Sequence, residues 1–172
     1  MFIYYLISVF LGANMDYFMK KANILTLQEG VDHYEEAHYS KWNCYMHTIG
    51  MPFTVYGLAL FLPALFKLTY EKAIIFRTSV LLLYLTHYIH IDLTIGGMTY
   101  ILFSLAAVRA NYTYDEKRRY WMLIKGFLIS FSALSFQEYF GHYLGGDIAS
   151  RGESVPNAIM YAMYFSVYHI FH

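Results

Sequence analysis

"YMHTIGMPFTVYGLALFLPALF" runs from Tyr45 to Phe66. A run this long and this apolar reads as a membrane-embedded helix, because a straight span needs roughly 20 residues. It lacks the sustained two-residue alternation of a half-buried strand. In lipid a helix satisfies its own backbone, whereas an open sheet does not. Four further apolar segments follow, at 73–91, 95–109, 121–140 and 157–171, of which the second and fourth are short for a span. Residues 1–12, "MFIYYLISVFLG", are apolar but shorter still and read as an interfacial or packed helix. They lack the positive start and small-residue cleavage site of a signal peptide. The expectation is therefore all-α. It is a multi-span integral membrane helical bundle with four to five membrane-embedded helices, an N-terminal interfacial helix and a single domain over 1–172.

Composition agrees. Hydrophobic residues make up 58% of the 172 and charged residues 14%, against roughly 45–50% and 25% in ordinary globular domains. So few charges would not cover a water-facing surface. Lys+Arg and Asp+Glu are 12 each, and no basic tract suggests nucleic acid. The single cysteine, Cys44, excludes an internal disulfide and any cysteine-based metal cluster. No HExxH, GxSxG or glycine-rich phosphate loop occurs.

Pro52 and Pro63 each remove a backbone donor from the first segment, so a kink or a first-turn position is expected. "IDLTIGGM" (91–98) reads as a turn punctuated by Gly96 and Gly97, "NYTYDEKRRY" (111–120) as a polar connector, and "GGDIASRGESVPN" (145–157) as the longest turn-rich stretch. With five spans, Lys67, Lys72, Arg109, Lys117, Arg118 and Arg119 fall on one side, and Lys20, Lys21, Lys41 and Arg151 on the other. The positive-inside rule puts the former in the cytoplasm.

This topology gathers histidines that are scattered in the chain. His38 and His47 start the first segment, His87 and His90 end the second, and His142 ends the fourth, all at the non-cytoplasmic edge. His169 and His172 would lie toward the opposite end of the fifth. Ionisable groups at membrane depth are costly and face the protein interior, so converging imidazoles would suit a transition metal. Nine residues turn one continuous helix by about 900°, or about 180° after whole turns. If His38 and His47 share a metal, the helix must break between them, and Ser40 or Asn43 could cap the new start. Asn43 could instead orient a ligating histidine from behind. His87 and His90, three residues apart, share a face. A buried Gln137 would need hydrogen-bond partners that such a site could provide. Glu138 and Glu153 could serve as ligand or base, or be solvated carboxylates. Glu35-x-x-His38 is one copy of a di-iron motif, but the second copy is missing. A carboxylate-poor, histidine-rich site fits a single iron or zinc: iron for oxygen chemistry on a lipid, zinc for hydrolysis. A non-catalytic scaffold or transporter would need no convergence.

His38, Asn43, His47, Gly50 and Pro52, followed by "QEYFGH" (137–142) and "GESVPN" (152–157), resemble the two motifs of the Mpo1-like family of 2-hydroxy fatty acid dioxygenases. The similarity covers about 28–165, and 1–27 lie outside it. It implies a small multi-span protein of the endoplasmic reticulum. It also implies an Fe(II) cofactor, with O2 and a 2-hydroxy fatty acid as substrates, and fatty-acid alpha-oxidation to the acid one carbon shorter. His38, His47 and His142 carry over as iron ligands, with Asn43 and Gln137 among the catalytic set. Topology adds His90 or His87 as a fourth ligand. Glu153, Pro156 and Asn157 match only across a longer connector than the family's.

Overall fold

The computed structural model describes residues 2–22, 25–26, 29–30, 32, 34, 38–90, 92–147 and 155–171, the side chains of 155–157 excepted. Glu35, Glu153 and His172 lie outside the described residues. Among the described residues every regular element is helical. They are α1 (Phe2–Ala13), α2 (Met15–Lys21), α3 (Lys41–Leu65), α4 (Tyr70–Ile89), α5 (Leu93–Thr113), α6 (Arg119–Phe136), a π-helical segment (Gln137–Tyr143) and α7 (Val155–Phe171).

Short connections make α3 to α6 run alternately up and down. At the first, Lys67 takes a φ of 55° and ends the helix. At the second, Asp92 caps α5 by accepting from Ile95 N–H at 2.9 Å. Gly96 and Gly97 therefore lie within α5, not in the turn expected from the sequence: the Asx cap starts the helix before them. A 3₁₀ turn at Glu116–Arg118, capped by Asp115, leads into α6.

α3 and α6 pack backbone to backbone. A Cβ at Gly57 would stand 2.6 Å from Ser130 N, and one at Gly126 2.6 Å from Phe61 N. Small residues permit such approach where lipid offers no hydrophobic drive between helices. Around this pair lie two cores. One joins Tyr34, Met51, Tyr88, Phe103, Tyr161 and Phe165 at the end where α3 begins. The other joins Leu60, Ala73, Ala110, Tyr114 and Met122 at the end where α3 finishes.

Among the described residues, α3 and α5 are the helices long and apolar enough to cross a membrane, or three units if the α1–α2 pair, bent by 63°, counts as one broken span. Two to three helices thus meet the length and composition of a span, against the four to five expected. Glu71, Lys72 and Arg77 interrupt α4, and α6 is 18 residues long and carries Arg119 and Lys125. α7 is a shorter apolar helix. Outward-facing Phe53, Ile101, Leu105 and Phe131 are each more than half exposed. Such a contiguous apolar exterior is consistent with membrane association.

Pro63 shapes the far core. Its missing N–H leaves the Ala59 carbonyl free of its helical partner. Arg77 of α4 donates Nε–H to that carbonyl at 2.7 Å and Nη1–H to Asn111 Oδ1 at 2.7 Å, with its guanidinium 4.9 Å from the Tyr114 ring. One buried cation thus ties α3, α4 and α5 together. Arg77→Met strands two part-buried acceptors, each costing about 1–3 kcal/mol where water cannot reach it. We expect a loss of about 2–4 kcal/mol, measured by denaturant titration in detergent, with no loss of metal binding.

Candidate metal centre

The stretch from His38 to His47 is where the chain enters α3. The helix begins at Lys41 with Ser40, in extended conformation, as its N-cap. His38 therefore sits before the helix and His47 in its second turn, so both rings can aim at one point. Asn43 is inside the helix, not its cap.

His142 arrives from α6 through the π-helical segment. In an α-helix five residues turn the chain by about 500°, so Gln137 and His142 would point about 140° apart. A π turn is closed by i→i+5 bonds, which brings residues five apart onto one side. Gln137 and His142 are indeed both buried, each 1% exposed, with Gly141 between. A π segment inside an α-helix is a frequent mark of a functional site.

The result is a trio of buried imidazoles. His47 Nε2 is 3.3 Å from His38 Nε2 and 3.2 Å from His142 Nε2, and the three ligand atoms lie within 4.8 Å of one another. With metal–nitrogen bonds of about 2.0–2.1 Å, tetrahedral geometry puts ligand nitrogens about 3.3 Å apart. Three buried histidines at this spacing could hold a metal ion.

The outer nitrogens test that fit. A ligating histidine bonds through one nitrogen and donates from the other. His38 Nδ1 lies 2.9 Å from the Tyr34 carbonyl, which can only accept, so the proton is on Nδ1 and Nε2 offers its lone pair. His47 Nδ1 and Gln137 Oε1 are buried polar atoms without a hydrogen-bond partner, complementary as donor and acceptor in the same pocket. The Asn43 amide lies 3.3 Å from His142 Nδ1, and its Oδ1 is a third such orphan. As placed, Asn43 Nδ2–H donates toward His142 Nδ1; an ion on His142 Nε2 would need the proton on Nδ1 and a turn of the Asn43 amide that brings Oδ1 round to accept it. The three orphans are the atoms a bound ion would bring into use, so the residues fit a metal.

Burial lowers the basicity of His38 most, followed by the charge of His142, and His169 adds to the effect against the opposing Tyr34 hydrogen bond. A neutral imidazole is the form a metal needs.

Asp147 is a member that sequence reasoning missed. Its Oδ2 accepts from Asn43 Nδ2 at 2.8 Å and from Ser40 N–H at 3.2 Å, so it pins Asn43 and the start of α3 together. It sits in the turn-rich stretch, where no local pattern separates an anchor from an ordinary turn aspartate. Two glycines make room for the supports. A Cβ at Gly141 would be 2.4 Å from Asn43 Oδ1, and one at Gly50 would be 2.5 Å from Gln137 Cγ.

His87 and His90 do not join the trio, contrary to the topological expectation. α4 turns its buried His87 toward the N-terminal helices, where Nε2 is 4.0 Å from Asp16. The cause is packing of α4 on α1, whose buried face carries Ser8 and Gly12. His90 caps the helix and is exposed. Glu138, on the outer side of the π segment, is exposed too. His169 departs in the other direction: it lies near the trio, not at the far end of the bundle.

An apolar groove of about 480 Å³ opens between α3 and α6 beside the site. Its walls include Ile49, Gly50, Phe53, Leu128 and Ala133, and it ends at Phe136 next to Gln137.

Gly141→Ala must displace Asn43 and with it the support of His142. We expect metal affinity to fall about 10–100-fold, the usual effect of losing an outer-shell partner, in a competitive chelator titration. Gly97→Ala, where a Cβ meets nothing within 4 Å, is the neutral control.

No family model, no curated protein and no solved structure matches this chain.

Proposed function

We propose that the chain is an Fe(II)-dependent dioxygenase that cleaves 2-hydroxy fatty acids to the acid one carbon shorter, as the family resemblance of its two motifs implies. The observation that carries the reading is the convergence of three buried histidine nitrogens, with no carboxylate among them in the described residues, beside an apolar groove. When bound, Fe(II) supplies a centre at which O2 and the 2-hydroxy acid meet and O2 is activated.

The protein's own part is placement. The Tyr34 carbonyl accepts from His38 Nδ1, and Gln137 and Asn43 stand beside the outer nitrogens of His47 and His142, where they would brace those rings once a metal is bound. His38, His47 and His142 would hold the ion and leave it open to the hydroxyl and carboxylate of the substrate and to O2. A fourth histidine ligand would have left less room, so the displacement of His87 and His90 supports this set. The groove at Gly50 and Phe136 gives an acyl chain an apolar bed and keeps water from the reacting end. In this reading the cell compartment is the endoplasmic reticulum membrane, with the site at its lumenal edge.

A zinc-dependent lipid hydrolase is the second reading. The 3.2–3.3 Å nitrogen spacing is near the tetrahedral value, and three histidines plus a water is a common catalytic zinc set.

Metal analysis with an oxygen electrode separates the two. We expect near-stoichiometric iron and O2 uptake that depends on added 2-hydroxy fatty acid. Both should be lost in His38→Ala, His47→Ala and His142→Ala, with residual turnover at least about 1,000-fold lower. Stoichiometric zinc with no O2 uptake overturns the dioxygenase and favours the hydrolase.

A further inference from the structure

Two apolar grooves meet on one face of α3. The first, of about 480 Å³, lies between α3 and α6, with Gly50 and Phe136 at the end next to Gln137. The second, of about 590 Å³, lies between α3 and α5 and is lined by Pro52, Tyr56, Leu102 and Leu105 as far as Arg109. Phe53 and Ile129 line both. Ile49, Pro52, Phe53 and Tyr56 stand three and four residues apart, so a single helix face runs through the two grooves.

The packing of α3 on α6 gives the first groove a direction. A Cβ at Gly50 would meet Gln137, and one at Gly57 would meet Ser130. Moving along α3 from Gly50 to Phe53 therefore leads away from the histidines and toward Leu128 and Ile129. The stretch of α6 from Phe136 back to Leu128 is about 12 Å long at 1.5 Å per residue. That is shorter than an extended hexadecanoyl tail. The groove is thus a bed for a medium-length tail, and Phe53 and Ile129 form the ridge at its end. Beyond the ridge the second groove finishes at the Arg109 cation, which offers nothing to a methyl end.

We propose that the tail of the substrate acid lies in the α3–α6 groove and stops at Phe53 and Ile129. The substrate is then a medium-chain 2-hydroxy acid, and Phe53 is the residue that sets its length. The proposal rests on the acid-cleaving reading above and deepens it by naming the chain-length class.

Photolabelling maps the tail without turnover. Full-length protein loaded with Fe(II) in detergent is irradiated without O2 with 2-hydroxydecanoate or 2-hydroxyhexadecanoate, each carrying a diazirine at the tail end. Labelled peptides are identified by mass spectrometry, and only label displaced by excess unlabelled acid counts. We expect the decanoate probe to mark Phe53, Leu128 and Ile129, and the hexadecanoate probe to leave the second groove unmarked. In Phe53→Ala the hexadecanoate label should move to Leu102 and Leu105. With O2 admitted, kcat/KM for the longer acid relative to the shorter should rise about tenfold in that variant. Phe53 is more than half exposed and belongs to neither core, so the variant should keep its fold, and Ile129→Ala lowers the same ridge from α6. Displaceable hexadecanoate label at Leu102 or Leu105 in the wild type overturns the proposal. So does the absence of displaceable decanoate label at Phe53 and Ile129, or an unchanged pattern in both variants. Iron-loaded wild type that takes up no O2 with either acid overturns the acid-cleaving reading, whereas the labelling still decides the groove.

Discussion

Three imidazoles buried together, their ligand atoms within 4.8 Å of one another, are the constraint from which the rest of this structure follows. Unpaired polar nitrogens in a low-dielectric interior cost free energy unless each finds a partner. The inner nitrogens face one another at 3.2–3.3 Å, a spacing suited to a shared ion. The outer ones face groups from three different parts of the chain: the Tyr34 carbonyl before α3, which His38 already uses, and Asn43 within α3 and Gln137 after α6, whose oxygens are still without a partner. Asn43 is held in turn by Asp147. The site is therefore a closed set of supports, and few of them can change independently.

Those supports explain local features that would otherwise look like defects. The π-helical segment weakens the regular hydrogen-bond ladder at the end of α6, yet it is what turns Gln137 and His142 to one side. Gly50 and Gly141 give up helix propensity at positions where a Cβ would collide with Gln137 and Asn43. At the opposite end, Pro63 breaks a helical bond and Arg77 fills the vacancy. The gap left by Pro63 is thus matched by a side chain from another helix.

The apolar segments made the helices legible, because periodicity and length report on a chain's own backbone needs. The number that could span a membrane was not legible: α4 and α6 carry charges that only their partners reveal as buried or terminal. His38, His47 and His142 could be picked out from depth along neighbouring helices. The same reasoning placed His87 and His90 with them, because depth along an axis says nothing of rotation about it. His87 faces Asp16, on the other side of α4. It also placed His169 at the far end, because a fifth span was assumed where α7 instead packs on Tyr34 and Thr48.

By itself the sequence determined that the chain is helical, apolar outside and equipped with histidines near one end of its bundle. The need for a break between His38 and His47 was also in the sequence, since one helix cannot aim both at a point. Only the tertiary structure decided which histidines meet, and it did so through azimuth. That angle is fixed by the backbone contact of Gly57 with Ser130, by the extra residue in the π turn, and by α1 and α7 claiming the remaining faces. These are contacts between residues far apart in the chain, and no local pattern encodes them.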